Sequence, residues 1–302
     1  MLGSGAPNMD LITLRADRAG LVLAPAAGGS VVRYWIDGGA APLDLLRRWT
    51  VPREGDPFEA AAFPLVPYSN RLREGRFSFQ GRRVALPLNR PPERHSIHGQ
   101  GWQGGWTPVE VRGNEATLEY CHAPDSWPWA YRATQRFVLA PARLAVALTL
   151  TNESTSAMPA GLGWHPYFRR TPGTSLTADV QAMWQTDDEV MPTTLSAPPP
   201  AADPSHGLMV DAIALDNCFV GWRRRAVIER PEEGVRLIMT GQAPLEFLVV
   251  YTPPRRPFFC AEPVSHMTDA FNLAAAGRTD TGTRILEPGE TLRATVNVTV
   301  ER

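Results

Sequence analysis

Two side chains of this sequence are of the right types for proton transfer. One is His165, in His165-Pro166-Tyr167-Phe168; the other is Glu262, in Cys260-Ala261-Glu262-Pro263, about a hundred residues further on. An imidazole and a carboxylate brought to opposite sides of one substrate can serve as general acid and general base. Each is followed by a proline that fixes the chain, and each lies among apolar or aromatic neighbours. Such surroundings exclude water and push a carboxylate pKa upward, toward the working range of a proton-transfer group. A lone histidine is more often structural; the second, similarly framed group is what favours chemistry.

Upstream motifs suggest what the pair acts on. Phe63-Pro64-Leu65-Val66-Pro67-Tyr68-Ser69-Asn70-Arg71 ends in a polar pair; the planar fork of Arg71 could meet sugar hydroxyls, although taken alone a solvated arginine after a turn is the better reading. His95-Ser96-Ile97-His98-Gly99-Gln100-Gly101-Trp102-Gln103-Gly104-Gly105-Trp106 combines glycines, which permit close backbone approach, with tryptophans, whose faces form platforms for sugar rings. A histidine held inside a glycine-rich turn explains that segment equally well. In Asp125-Ser126-Trp127-Pro128-Trp129-Ala130-Tyr131 the aromatic patch reads as core packing or as pocket lining.

Other chemistries fit poorly. His95, His98 and His165 outline a metal-dependent alternative of cupin type, but HxxH lacks a third nearby ligand and the glutamate of HExxH, so no metal is expected. Every cationic side chain is arginine, which removes Schiff-base and P-loop lysine chemistry. Gly99-Gln100-Gly101 is not completed to a dinucleotide-binding pattern. A glycoside hydrolase normally needs paired carboxylates, and Asp216 is the one partner for Glu262 that suggests itself.

The scaffold reads as all-β. Short alternating or β-branched runs recur at 10–15, 20–24, 30–36, 76–79, 107–111, 116–120, 131–139, 143–151, 226–229, 235–239, 246–251 and 291–300, bounded by Gly, Pro and Asn. The 29 prolines punctuate turns and disfavour long helices; 40–48 is the best helical stretch. A large antiparallel β-sandwich follows, as a single domain over 10–302 preceded by a flexible extension at 1–9. The proline-rich 197–204 reads as a surface loop. A net charge of −1 with no basic run beyond Arg223-Arg224-Arg225 argues against nucleic-acid and membrane-surface partners. Cys121, Cys218 and Cys260 are odd in number and widely spaced, so they read as small buried residues. With neither a signal peptide nor a bilayer-length apolar run, a cytoplasmic location is expected.

Together, Asn70-Arg71, His98-Gly99 with Trp106, His165-Pro166-Tyr167-Phe168, Leu215-Asp216-Asn217 with Phe219, and Glu262 followed by Asn272 make the chain resemble the aldose 1-epimerase (galactose mutarotase) family from about Leu11 to Val300. The resemblance implies a galactose-mutarotase-like supersandwich, a monosaccharide substrate, no metal or organic cofactor, and action as a monomer or homodimer. It also implies that Glu262 is the base on the anomeric hydroxyl and His165 the acid on the ring oxygen. His98 would hold the ring-oxygen side, Arg71 and Asp216 would bind hydroxyls, and Asn70 would support that end. Two departures stand out: Gly99-Gln100-Gly101 replaces the family's glycine pair, and His266 with nearby arginines would suit an anionic sugar such as a sulfosugar or uronate. A non-catalytic carbohydrate-binding protein on the same scaffold is a further alternative.

Overall fold

Tyr131–Ala140 and Arg143–Asn152 bury alternate side chains along their ten residues each, as the period of two requires. They belong to a nine-stranded antiparallel sheet whose spatial order is Thr107–Arg112, Glu115–His122, Tyr131–Ala140, Arg143–Asn152, Thr291–Glu301, Val235–Gly241, Arg225–Arg230, Ser175–Ala178 and Leu208–Met209. A second, eleven-stranded sheet runs in the order Ile12–Ala16, Ala19–Ala24, Ser30–Asp37, Ala62–Leu65, Gly163–Arg169, Phe258–Val264, Phe247–Tyr251, Asp216–Val220, Ala182–Thr186 and Pro192–Ser196, with Pro42–Asp44 added beside Ser30–Asp37. This computed structural model describes residues 10–39, 41–50, 52 and 56–301; the expected extension at 1–9 lies outside them.

The two sheets share one apolar core, in which Leu21, Leu23, Trp164, Phe168, Leu248, Val250, Phe259 and Ala261 of the larger sheet join Phe137, Leu139, Val146, Leu148, Val296 and Val298 of the smaller. This is the expected sandwich. On its other face the larger sheet buries a second cluster, with Phe63, Leu65, Tyr167, Cys218, Val249, Cys260 and Val264 packed beneath Trp49, Ile97 and Trp102. Its central strands are therefore covered on both sides and lose the alternating polarity of a half-buried strand.

Two expectations need correction, and one alternative left open is decided. The stretch 40–48 is not helical in its described part: Pro42–Asp44 pairs with Ser30–Asp37, and the backbone N–H groups of Leu45, Arg47 and Trp49 donate to Tyr34, Tyr167 and Val32. Those donors go sideways to neighbouring strands, and a segment this short cannot offset the cost of helix nucleation alone. The α-helix among the described residues is Ala270–Ala275. Cys121 is exposed, while Cys218 and Cys260 are buried as expected. Of the two readings open for the aromatic segments, core packing is the one found, with all four tryptophans in the buried apolar clusters. Trp102 and Trp106 spend their indole N–H groups on Ile97 O and Gly101 O, and Trp127 and Trp129 pack against Phe77 in the core. As expected, 197–204 is a connection: it leads from Pro192–Ser196 in one sheet to Leu208–Met209 in the other through two short 3-10 turns.

Candidate active site

Antiparallel register brings His165 and Glu262 together. Gly163 pairs with Val264 and Tyr167 with Cys260, which sets His165 opposite Glu262 on neighbouring strands. Parity does the rest: Trp164 and Phe168 point into the core between the sheets, so His165 and Tyr167 face outward, and Cys260 and Glu262 face outward beside them. His165 Nε2 lies 3.3 Å from Glu262 Oε1, with both residues buried. His165 Nδ1 and Glu262 Oε2 have no partner in the protein. The adjoining strands add Val249, Tyr251 and Asp216 to the same face, where a cavity of about 500 Å³ is lined by these residues with Asn70, Arg71, His98, Phe58 and Tyr167.

The opposite wall hangs on a backbone turn. Asn70 (φ 59°) and His98 (φ 64°) both adopt left-handed conformations, which asparagine tolerates well. They are joined reciprocally: His98 N–H donates to Asn70 O, and Asn70 N–H donates to His98 Nδ1, each at 3.0 Å. With Nδ1 accepting, the His98 proton must sit on Nε2, which makes the side chain a neutral hydrogen-bond donor. Gly99 follows at φ 70°, and a Cβ there would meet Val66 O at 2.1 Å. Asn70 Oδ1 accepts from Arg71 N–H at 2.8 Å, and Arg71 Nη2 donates to Asp216 Oδ2 at 3.2 Å.

Burial sets the protonation of the centre. It pushes Glu262 well above the ordinary carboxylate range, with the Asp216 charge adding to the rise and Arg71 opposing it. It pushes His165 well below the ordinary imidazole value, helped by His98 and by the cationic Arg47. His98 is lowered in the same way by burial and by Arg71, and burial raises Asp216 despite Arg71. Together, Glu262 and His165 resist net charge and favour holding one shared proton. Arg47 lies 3.4 Å from the centroid of the Tyr167 ring, which stacks on His165 with centroids 4.5 Å apart.

All six anticipated site residues, Glu262, His165, Arg71, His98, Asp216 and Asn70, thus line one cavity. The cupin-type triad does not form. His95 is turned away, its Nδ1 accepting from Glu74 N–H and its Nε2 lying 3.5 Å from Glu189. Among the described residues the one grouping with ligand-like spacing is His165, Cys260 and Glu262, the facing histidine and glutamate with a buried thiol beside them. Nor does His266 reach the cavity: it is buried, with Nε2 accepting from Ser69 N–H. Asn272 is also outside, donating to Arg76 O and Asp269. Sequence reasoning missed Glu93, whose carboxylate pairs with Arg71 Nε at 3.3 Å, and the aromatic wall of Phe58 and Tyr251. Only Pro91-Pro92, which fixes the approach to Glu93, could have drawn attention to that segment.

Residues 10–299 match the family described as Aldose 1-epimerase. This chain belongs to the aldose 1-epimerase family. Its relatives include the uncharacterized Escherichia coli K12 protein YphB, 34% identical over 289 residues, which span 91% of this chain and 93% of YphB. The crystal structure of the E. coli K12 protein b2544 superposes with a TM-score of 0.87 at 30% identity, over 97% of this chain and 99% of that one. A galactose 1-epimerase from Lactobacillus acidophilus NCFM shares the fold, with a TM-score of 0.78 at 18% identity over 100% of this chain and 97% of that one. Within this aldose 1-epimerase family member, no helix among the described residues is long and apolar enough to cross a membrane.

Proposed function

We propose that the chain is an aldose mutarotase, interconverting the α and β anomers of an uncharged hexose within a single catalytic domain. The buried Glu262–His165 pair, 3.3 Å apart and lining the cavity, carries this reading. Glu262, as carboxylate, takes the proton from the C1 hydroxyl. His165, as imidazolium, delivers a proton to the ring oxygen as the C1–O5 bond breaks and C1 becomes a carbonyl. The C1–C2 bond rotates, the C5 hydroxyl re-adds to the other face of C1, His165 recovers its proton, and Glu262 returns the other to the new anomeric oxygen. The pair holds one proton throughout, and in the open-chain stage that proton is on Glu262 with His165 neutral. Burial favours that uncharged arrangement, so the pair in the open-chain stage has the protonation that its surroundings also favour in the free protein. His98 Nε2–H is available as a fixed donor to the sugar, and Arg71 with Asp216 offers alternating donors and acceptors for hydroxyls.

The arginines of the cavity wall favour an uncharged substrate over a sulfosugar or uronate. Each already faces a carboxylate: Arg71 faces Asp216 and Glu93, Arg90 faces Asp56, and Arg94 faces Glu189. Asp188 adds a further acid to the wall. His266, the other cation considered for an anionic sugar, is engaged elsewhere.

The test is anomer exchange by NMR on equilibrated glucose and galactose, comparing native protein with Glu262→Gln. Loss of about 10²–10⁴-fold in kcat, with sugar affinity largely retained, is expected for removal of the general base. Exchange surviving the substitution sinks the assignment of the base. Sugar binding with no acceleration by the native protein selects a carbohydrate-binding role instead.

A further inference from the structure

We infer that Glu93 is a specificity-determining residue: with Arg71 and Asp216 it forms a hydroxyl-reading frame that selects uncharged aldoses and rejects sugars carrying an acidic substituent. This inference rests on the mutarotase reading.

The frame is built around one guanidinium. Arg71 Nε donates to Glu93 Oε2 at 3.3 Å, Nη2 donates to Asp216 Oδ2 at 3.2 Å, and Nη1 reaches Asn70 Oδ1 at 3.4 Å. A guanidinium carries five N–H donors, so one on each Nη remains for a ligand. Each carboxylate also keeps its second oxygen as an acceptor. A sugar hydroxyl both donates and accepts, so it can give its proton to a free carboxylate oxygen while receiving a bond from the guanidinium beside it. Two carboxylates flanking one guanidinium provide two such positions. Arg71 is the inner member, with 12% of its side chain exposed, while Glu93 and Asp216 retain 24% and 27% and so present accessible edges to the cavity.

Charge gives Glu93 a role beyond holding the arginine. Asp216 alone suffices to balance Arg71; the second carboxylate leaves the frame with an excess of negative charge. An acidic substituent there would bring no hydroxyl proton to offer and would meet like charge in a partly dehydrated wall. Specificity of this kind arises as much from repelling the wrong ligand as from attracting the right one. The Pro91-Pro92 pair before Glu93 limits how far its backbone can retreat to relieve the repulsion.

The experiment compares native protein, Glu93→Gln and Glu93→Asp in NMR anomer exchange with glucose and with glucuronate, which differ in the acidic substituent. Native protein is expected to favour glucose by at least about tenfold in kcat/KM, the scale set by like-charge juxtaposition at a recognition surface. Glu93→Gln removes the excess charge while keeping shape, and should raise KM for glucose and narrow the preference by about tenfold. Glu93→Asp should keep the preference. An unchanged preference in Glu93→Gln overturns the inference, as does an equal loss of kcat for both sugars with KM untouched, the mark of a merely structural role. Native protein that exchanges neither these sugars nor galactose defeats the mutarotase reading itself; exchange with an unaltered preference defeats only the role of Glu93.

Discussion

His266 offers a direct test of how burial in this fold controls protonation. The imidazole is 1% exposed, accepts Ser69 N–H at Nε2 (3.0 Å) and has Nδ1 2.8 Å from Met267 O, so the neutral tautomer uses both nitrogens. A Cβ on Gly161 would fall 1.9 Å from its Cδ2, a measure of how tightly the ring is enclosed. Burial lowers its pKa from 6.5 to about 4, with the Met267 hydrogen bond opposing. Between those values the unfolded chain binds a proton that the native protein does not, so stability is full above the unfolded pKa and is lost as pH falls. The slope approaches ~1.4 kcal/mol per pH unit, and the loss from this one group between pH 7 and pH 4 comes to ~3 kcal/mol. His266→Gln keeps an acceptor for Ser69 N–H and removes the titration. Guanidinium unfolding at pH 7, 6, 5 and 4 should show the native protein losing ~3 kcal/mol more than the variant across the range, because the contributions of His98 and His165 cancel in the difference. Parallel stability curves for the two proteins would refute the reasoning. The same protonation opposes the Ser69 anchor just before Asn70 and Arg71, so kcat/KM should begin to fall with acid before the protein unfolds.

Arg47 should tune the acid-base pair without touching the sugar. Arg47→Gln removes a cation that depresses His165, so the acid limb of kcat/KM should move to higher pH with KM little changed; an unmoved limb argues against the coupling. Arg230, fully buried, pairs with Glu233 at 3.1 Å and donates to Asp44 O, tying the end of Arg225–Arg230 in one sheet to the other. Arg230→Ala should cost about 1–3 kcal/mol in denaturant unfolding by leaving Asp44 O without its donor, since Glu233 keeps Arg169 at 2.9 Å, and a loss below about 0.5 kcal/mol would show that this tie is dispensable.

The strands that were easiest to read carry no chemistry. Tyr131–Ala140, Arg143–Asn152 and Thr291–Glu301 alternate clearly because the smaller sheet turns one face to the core and one outward. The strands bearing His165 and Glu262, Gly163–Arg169 and Phe258–Val264, were not among those expected, although the motifs on them were. Pro166 and Pro263 interrupt their backbone pattern, and cover on both faces erases the alternation. Glu93 escaped notice for a different reason: its role depends on Arg71 and Asp216, and a lone glutamate after two prolines has the look of a solvated turn.

What the sequence alone determined was class and candidates: an all-β chain, a family, and six polar residues placed in motifs that folding then gathers into one cavity. Local propensity, turn residues and motif identity are properties of short segments and survive being read one segment at a time. Only the tertiary structure decided that His165 stands directly across from Glu262, that His98 is a neutral donor, that the tryptophans serve the core, and that His95 and His266 turn away from the cavity. Each of those outcomes depends on strand register, side-chain parity and burial, and these are fixed by contacts between residues far apart in the chain.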